Sequence, residues 1–211
     1  MTRQLKYLFQ CLYPYGIFRT GEAVYLTFDD GPIPEVTPKV LEILERYHVK
    51  ATFFMVGENI DKHPEVYEQV IKAGHAVGNH TYNHLKGWRT PFHAYMENTE
   101  KWEEAFQMVN GKWVNGKLFR PPYGKATLRQ RMALHRKGYK LIYWDILTRD
   151  YDASVTPEQM LRLIQRDTRP GSIINFHDSV KSNERMLQVL PLAIEWILSQ
   201  GYELGKLKIE K

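Results

Sequence analysis

Asp29 and Asp30 stand side by side at the end of a short apolar run, in Thr27-Phe28-Asp29-Asp30-Gly31. Further along come two histidines, in His80-Thr81-Tyr82-Asn83-His84. Two free carboxylates this close repel, and a cation is the simplest way to keep both ionised near neutral pH. Carboxylate plus neutral imidazole suits Zn²⁺, Co²⁺ or Ni²⁺ better than Ca²⁺. A spacing of four puts both imidazoles on one face of a helical turn, where both reach a single ion. The residue types and spacing therefore point to a metal site with a base beside it.

The elements that must position these residues alternate. Residues 23–28, 51–55, 75–77, 118–120, 140–144 and 172–176 read as strands, with 202–207 as a further one. Residues 36–47, 64–73, 91–110, 127–137, 157–167 and 184–199 carry helical spacing, and Gly74, Gly138 and Gly201 close three of them. Such alternation predicts parallel strands joined by crossover helices. The unusual polar residues fall just after strands: Asp29 and Asp30, His80 and His84, Arg120, Asp150, His177. Barrel enzymes and open α/β sheets both build sites there. An eight-stranded barrel takes roughly 250 residues, and this chain has 211. The expected fold is α/β, a distorted, shortened (β/α) barrel of the TIM-like kind with about seven strands. An open doubly wound sheet is the runner-up. No Gly-x-Gly-x-x-Gly or phosphate-loop motif points to a nucleotide.

The formal net charge is +5. The basic residues are scattered, with no run of five, so no nucleic-acid arm is expected. A single cysteine, Cys11, excludes an intramolecular disulfide. Near the N-terminus Arg3 and Lys6 flank an apolar stretch, but Gln10, Pro14 and Gly16 interrupt it. No small-x-small cleavage site follows, so a signal peptide is not expected. No stretch approaches the length of a membrane span. Residues 1–22 are read as a segment packed on a catalytic domain formed by 23–211. The alternative for that segment is a peripheral membrane contact through Tyr7, Leu8, Phe9, Leu12 and Phe18. Location stays open, cytoplasmic or peripheral by default.

Five motifs in order, between Thr27 and Asp178, give the chain its resemblance. They are the Asp29-Asp30 run, the His80/His84 run, Arg120-Pro121-Pro122-Tyr123-Gly124, the stretch from Trp144 to Tyr151 containing Asp150, and Ser172-Ile173-Ile174-Asn175-Phe176-His177-Asp178. The chain resembles the polysaccharide deacetylases of the NodB-homology type, carbohydrate esterase family four. The resemblance implies a metal-dependent hydrolase that removes N-acetyl or O-acetyl groups from a carbohydrate, a glycan containing N-acetylglucosamine foremost. It implies a divalent ion, Zn²⁺ with Co²⁺ or Ni²⁺ as alternatives, on Asp30, His80 and His84. It makes Asp29 the general base and His177 the general acid. Arg120 would orient Asp29, Asp150 would support His177, and the Tyr123 amide would hold the oxyanion. Proline fixes φ, so Pro121 and Pro122 would stiffen the loop carrying that amide.

The chain departs from the family pattern at three positions. Tyr151 stands where Trp is common, Leu147 where many members have a further Asp, and Asn175 where Leu usually lines the acetyl pocket. Side chains alternate along a strand, so Asn175 is expected on the same side as His177. Two roles for it stay open: a bond to substrate or water in the acyl pocket, or a bond to a neighbouring barrel residue. Tyr151 and Pro122 are the other expected pocket residues. His48, His63, His75, His93 and His135 have no partner pattern and are read as surface or packing residues. Three other functional readings remain. A metal phosphoesterase needs more ligands than these three to bridge two ions. A glycan-binding barrel without catalysis would not need both Asp29 and His177. A single-metal hydrolase of another amide or ester would use the same residues.

Overall fold

The computed structural model describes residues 15–110 and 117–208. Cys11 and the apolar side chains of residues 7–12 lie outside the described residues. In chain order the strands are β1 (Gly16–Ile17), β2 (Val24–Asp29), β3 (Thr52–Met55), β4 (Ala76–Asn79), β5 (Leu118–Phe119), β6 (Lys140–Ile142), β7 (Ile146–Leu147), β8 (Ile173–His177) and β9 (Leu204–Gly205). The helices are α1 (Thr37–Arg46), α2 (Gly57–Lys62), α3 (Pro64–Lys72), α4 (Phe92–Asn110), α5 (Leu128–Arg136), α6 (Pro157–Asp167) and α7 (Asn183–Ser199). Local chemistry accounts for several boundaries. Thr127 with Gln130 and Thr156 with Gln159 form capping boxes at the starts of α5 and α6. Pro64 and Pro157 open α3 and α6, where the missing N–H costs nothing.

The strands form one parallel sheet in the order β1-β6-β5-β4-β3-β2-β8-β7, with β9 also paired to β2. β6 and β7 lie towards opposite ends of that order, yet only residues 143–145 join them. Four steps from Ile142 to Ile146 span at most about 14 Å of extended chain. The sheet must therefore curl until its ends nearly meet, which makes it a distorted, incompletely closed barrel. The seam is tied by side chains. Arg19 donates from Nε and Nη2 to Asp145 Oδ2 at 3.1 and 2.6 Å, and Ser172 Oγ donates to the same oxygen at 2.6 Å.

Strand alternation sorts the side chains into an outer and an inner face. Leu26, Phe28, Phe53, Met55, Ile174 and Phe176 point outward and pack against Val40, Leu44, Tyr67, Val70, Leu190 and Ile194 of the helices. Inward residues form layers. Phe54, Leu118, Ile142, Ile173 and Leu207 fill the lower barrel as an apolar plug. Above them Thr27 pairs with Asn175, and above those Asp29 pairs with His177. Gly78 makes this stacking feasible, because a Cβ there would lie 2.6 Å from the Phe54 ring.

The sequence pattern predicts about seven strands. The eight-strand path plus β9 exceeds that number because β1 and β7 are two residues each, too short to show a period. Helix α2, six residues long, escapes the pattern for the same reason. No described helix is long and apolar enough to cross a membrane.

The seam can be tested. Asp145→Ala leaves the Arg19 guanidinium and the Ser172 hydroxyl without their shared acceptor. Urea unfolding should show a loss of about 1–3 kcal/mol, the usual cost of orphaning charged hydrogen-bonding groups. A change below about 0.5 kcal/mol, the range of neutral surface substitutions, would mean the seam is held elsewhere.

Candidate active site

The C-terminal ends of the strands open into a cavity of about 530 Å³. Asp29, Asp30, His80, His84, Tyr123, Tyr151 and His177 all line it. Their convergence depends on loop residues that leave the strand conformation. Successive strand residues point to opposite faces, so Asp29 and Asp30 would diverge if β2 simply continued. Asp30 instead adopts φ +84°, and both carboxylates reach the cavity. Below them Asp178 anchors the turn, with Gly31 N–H donating to Oδ1 at 3.1 Å and Thr37 Oγ1 2.6 Å from Oδ2. A Cβ on Gly31 would lie 2.1 Å from that carboxylate, so only glycine fits. Burial pushes the Asp178 carboxyl up to about 8, with the Asp30 charge adding to the rise against the Thr37 and Gly31 bonds.

The His80–His84 stretch is not the helical turn that its spacing predicts. No N–H of the stretch bonds a carbonyl four residues back, and most go to side chains. Thr81 N–H donates to Asn79 Oδ1, and Leu85 N–H donates to Thr81 Oγ1. The N–H groups of Tyr82 and Asn83 both donate to Asn98 Oδ1. Thr81 and His84 take left-handed φ values of 62° and 54°. The two imidazoles still meet, with ring centroids 5.0 Å apart. Asp30 Oδ1 lies 3.2 Å from His84 Nε2 and 3.7 Å from His80 Nε2.

These three residues have the chemistry of a metal centre. Their ligand atoms lie within 4.8 Å of one another. Asp30 Oδ1 is buried and makes no hydrogen bond among the described residues. His80 Nδ1 is 2.7 Å from the Arg120 carbonyl, so it donates there and leaves Nε2 as a lone pair facing Asp30. Burial pushes the His80 imidazole down to about 4, which keeps it neutral and able to ligate. Burial alone would raise the Asp30 carboxyl, but the close approach of His84 and the charges of the His177 and His80 imidazoles bring it well below the usual range.

Arg120 is fully buried in the barrel lumen, its guanidinium 4.1 Å from the Phe54 ring. Nη1 donates to Asp29 Oδ1 at 2.7 Å, Asn175 Oδ1 at 2.6 Å and Thr27 Oγ1 at 2.9 Å. Nη2 and Nε donate to the carbonyls of Tyr143 and Ile142. Asn175 Nδ2 donates to the other oxygen of Asp29 at 3.0 Å. Of the two roles open for Asn175, the structure therefore has the barrel bond. Asn175 shares a face with His177, as alternation requires, but lies one layer deeper, is fully buried and does not line the cavity. Pro122 is also absent from the lining. It is buried, and the next residue, Tyr123, turns outward with φ +58°. The Tyr123 N–H has no hydrogen-bond partner among the described residues.

Opposite the metal-type cluster, Asp150 holds His177 twice. Its Oδ2 accepts the His177 backbone N–H at 2.7 Å, and its Oδ1 lies 2.8 Å from Nδ1. Burial pushes the His177 imidazole down, but the bond to Asp150 and the charges of Asp150, Asp29 and Asp30 outweigh it and raise it to about 9. Arg185 donates through Nε and Nη2 to the Asp150 carbonyl. Trp144, Leu147, Ser179 and Lys181 complete the lining. The sequence carries no pattern that singles out Arg185, Ser179 or Lys181. The histidines expected outside the site include a buried one, His75, which accepts the Ala51 N–H, and His135, which stacks on Tyr15.

A curled parallel barrel with a carboxylate–imidazole cluster at its C-terminal mouth defines a class of barrel proteins with a candidate metal centre. Comparison narrows the class. Residues 19–142 match the family model described as polysaccharide deacetylase. A peptidoglycan-N-acetylglucosamine deacetylase of Bacillus cereus is 35% identical over 156 residues, which is 74% of this chain and 56% of that protein. The chain thus spans little more than half the length of that relative. A chitooligosaccharide deacetylase of Azorhizobium caulinodans is 32% identical, with 80% of this chain and 79% of that protein covered. The crystal structure of the Bc1960 peptidoglycan N-acetylglucosamine deacetylase superposes with a TM-score of 0.86 at 29% identity, covering 92% of this chain and 91% of that one. The chain belongs to the polysaccharide deacetylase family and is a carbohydrate deacetylase.

Asn175→Leu tests the buried network. It removes one partner each from Asp29 and Arg120, so unfolding should show a loss of about 1–3 kcal/mol. Relative kcat/KM across acetyl and larger acyl groups should not change. A shifted acyl preference at unchanged stability would place Asn175 in the pocket instead.

Proposed function

We propose that this deacetylase hydrolyses the N-acetyl group of a glycan containing N-acetylglucosamine, using one divalent ion, Zn²⁺, held by Asp30, His80 and His84. One observation carries the reading: the ligand cluster, the paired Asp29 and the Asp150-bound His177 face a single cavity. The proposed catalytic unit is residues 23–211. Bound there, the ion would supply positive charge that polarises the acyl carbonyl and makes water more acidic.

The chain's own groups account for the proton traffic. Asp29 has each oxygen committed to one donor, Arg120 on Oδ1 and Asn175 on Oδ2. That fixes the carboxylate plane and leaves a lone pair on each oxygen to take a proton from the attacking water. The free Tyr123 N–H can donate to the oxyanion as the carbonyl carbon becomes tetrahedral. The amine leaves poorly until protonated, and His177 supplies that proton from the ring nitrogen not held by Asp150. An imidazole raised to about 9 is protonated at neutral pH, as a general acid must be. The C–N bond then breaks to give acetate and a free amine. Arg120 and Asp150 are positioning residues in this scheme. Tyr151, whose ring meets His177 edge-on at 5.1 Å, forms part of the substrate wall.

Acetate release should be measured on chitin, peptidoglycan, xylan and monosaccharide substrates. The reading requires release from an N-acetylglucosamine polymer, and release from none of the panel would sink it. Elemental analysis should find close to one zinc per chain, and His80→Ala should lose it. Tight metal binding by that variant would contradict the ligand set.

Asp29→Asn and His177→Ala should keep the metal yet lose roughly 10²–10⁴-fold in rate, the worth of a positioned proton-transfer group. Near wild-type turnover in either would remove its assigned role. The alkaline limb of the pH–rate profile reports His177. Its pKa is raised by Asp150, so activity is present below that pKa and is lost as pH rises through it. Removing the charge in Asp150→Asn should move the limb to lower pH. An unmoved limb would show that another group controls it.

A further inference from the structure

The parallel barrel has a second mouth, at the N-terminal ends of its strands, remote from the catalytic cavity. A cavity of about 730 Å³ opens there. Its floor is the apolar plug, where Leu118, Ile142 and Leu207 reach the surface of the opening. Its rim carries Lys50 before β3, Lys140 at the start of β6, and Lys206 and Lys208 after β9, with His48 beside them. No aspartate or glutamate lines it among the described residues. The lysine ion pairs among the described residues are those of Lys62, Lys72, Lys117 and Lys137, so none of the four rim lysines is ion-paired there.

One member of the cluster is held in place despite the repulsion of its neighbours. Lys206 Nζ donates to the Gly74 carbonyl at 2.6 Å, which fixes the ammonium near the Lys50 side chain, itself 3.9 Å from the position of a Gly74 Cβ. Burial, followed by the charges of Lys208 and Lys50, pulls the Lys206 ammonium below its usual value. An isolated surface lysine would swing into solvent. Four ammonium groups without an ion-pair partner among the described residues, set around one apolar-floored cavity, instead call for a counter-charge greater than one. A carboxylate supplies about −1, whereas a phosphate monoester supplies roughly −1.5 to −2 with three acceptor oxygens. Lysine serves as a point-charge partner for phosphate. The apolar floor adds a place for a hydrocarbon or ring body beside it. Nor can the chain's own N-terminal residues 1–14 serve as the complement. They carry Arg3 and Lys6 and no acidic side chain.

We propose that this N-terminal mouth is a binding site for a phosphate monoester with an apolar body. The site is independent of the deacetylase reading, since none of its residues lines the catalytic cavity.

The test is isothermal titration of the intact, metal-loaded chain with octyl phosphate, paired with flotation on phosphatidylcholine vesicles with and without phosphatidic acid. One saturable octyl phosphate site is expected. Lys50→Gln with Lys206→Gln should weaken it tenfold or more, the scale of a lost charge-assisted bond. Lys140→Gln, at an exposed side chain whose loss does not endanger folding, should weaken it at least threefold. Acetate release should stay within twofold of the parent in all of these. His80→Ala should bind octyl phosphate unchanged, which separates this site from phosphate on the metal. Co-flotation only with phosphatidic acid would identify a lipid headgroup as the source, and octyl phosphate binding without flotation a free phosphate ester. Two results would overturn the proposal. One is no saturable binding, as follows if residues 1–14 or 209–211 fill the cavity. The other is binding that survives the lysine substitutions but fails in His80→Ala.

Discussion

The arrangement of the catalytic mouth depends on one buried cation. Arg120 sits in the barrel lumen without solvent contact, and a buried charge left unpaired costs several kcal/mol. Asp29 supplies the counter-charge, and Asn175, Thr27 and two backbone carbonyls take the remaining protons. The same residue acts a second time through its backbone, since its carbonyl accepts the His80 Nδ1–H. Arg120 thus sets the orientation of the carboxylate beside the cluster and the tautomer of one imidazole within it. The strand just before it, β5, is only two residues long. Its place in the sheet rests on the ladder to β4 and β6 and on the Arg120 N–H bond to the Asn79 carbonyl.

This dependence gives Asn175 a physical reason that pocket lining would not. Three acceptors share Nη1 of Arg120, and Asn175 can accept from Arg120 while donating to Asp29. A leucine fills the same layer but does neither. The amide therefore ties cation and carboxylate into a closed set in which both oxygens of Asp29 have donors. The cost of burying it is offset by those bonds, since a satisfied polar network stiffens a core that an unsatisfied one would weaken.

Much of this is legible in the sequence because it rests on local periodicity and on residue type. The strands and helices of three or more residues that bear apolar repeats lie close to the bounds their periodicity predicts, for example 157–167 for α6. The ligand cluster is legible from residue types alone. What escapes is whatever depends on geometry between elements. Spacing of four suggests a helical turn for His80 and His84, but Asn79, Thr81 and Asn98 side chains capture the N–H groups such a turn needs. Alternation correctly gives the face of Asn175 but not its depth, because depth is set by the register of Thr27 against Asn175. Arg185 reaches Asp150 from a helix thirty-five residues later, a contact no spacing rule encodes.

The residues that resist periodic reading share a conformation. Asp30, Thr81, His84, Tyr123 and Arg149 all have positive φ, and each either lines the catalytic cavity or adjoins His80 or Asp150 in the chain. Left-handed backbone disfavours non-glycine residues, so each persists only because neighbouring bonds over-determine it. Parallel strands leave the barrel pointing the same way and spread their side chains between two faces. A chain that must bring a carboxylate from β2, two imidazoles from beyond β4 and an amide from beyond β5 to one point has to break that alternation at each strand end. Asp29 and His177 need no such break, because they are ladder neighbours on β2 and β8. Asp29 and His177 are therefore carried by the rigid sheet, while the cluster that faces them is assembled from turns, and Arg120 bonds to both sides, to Asp29 through its guanidinium and to His80 through its carbonyl.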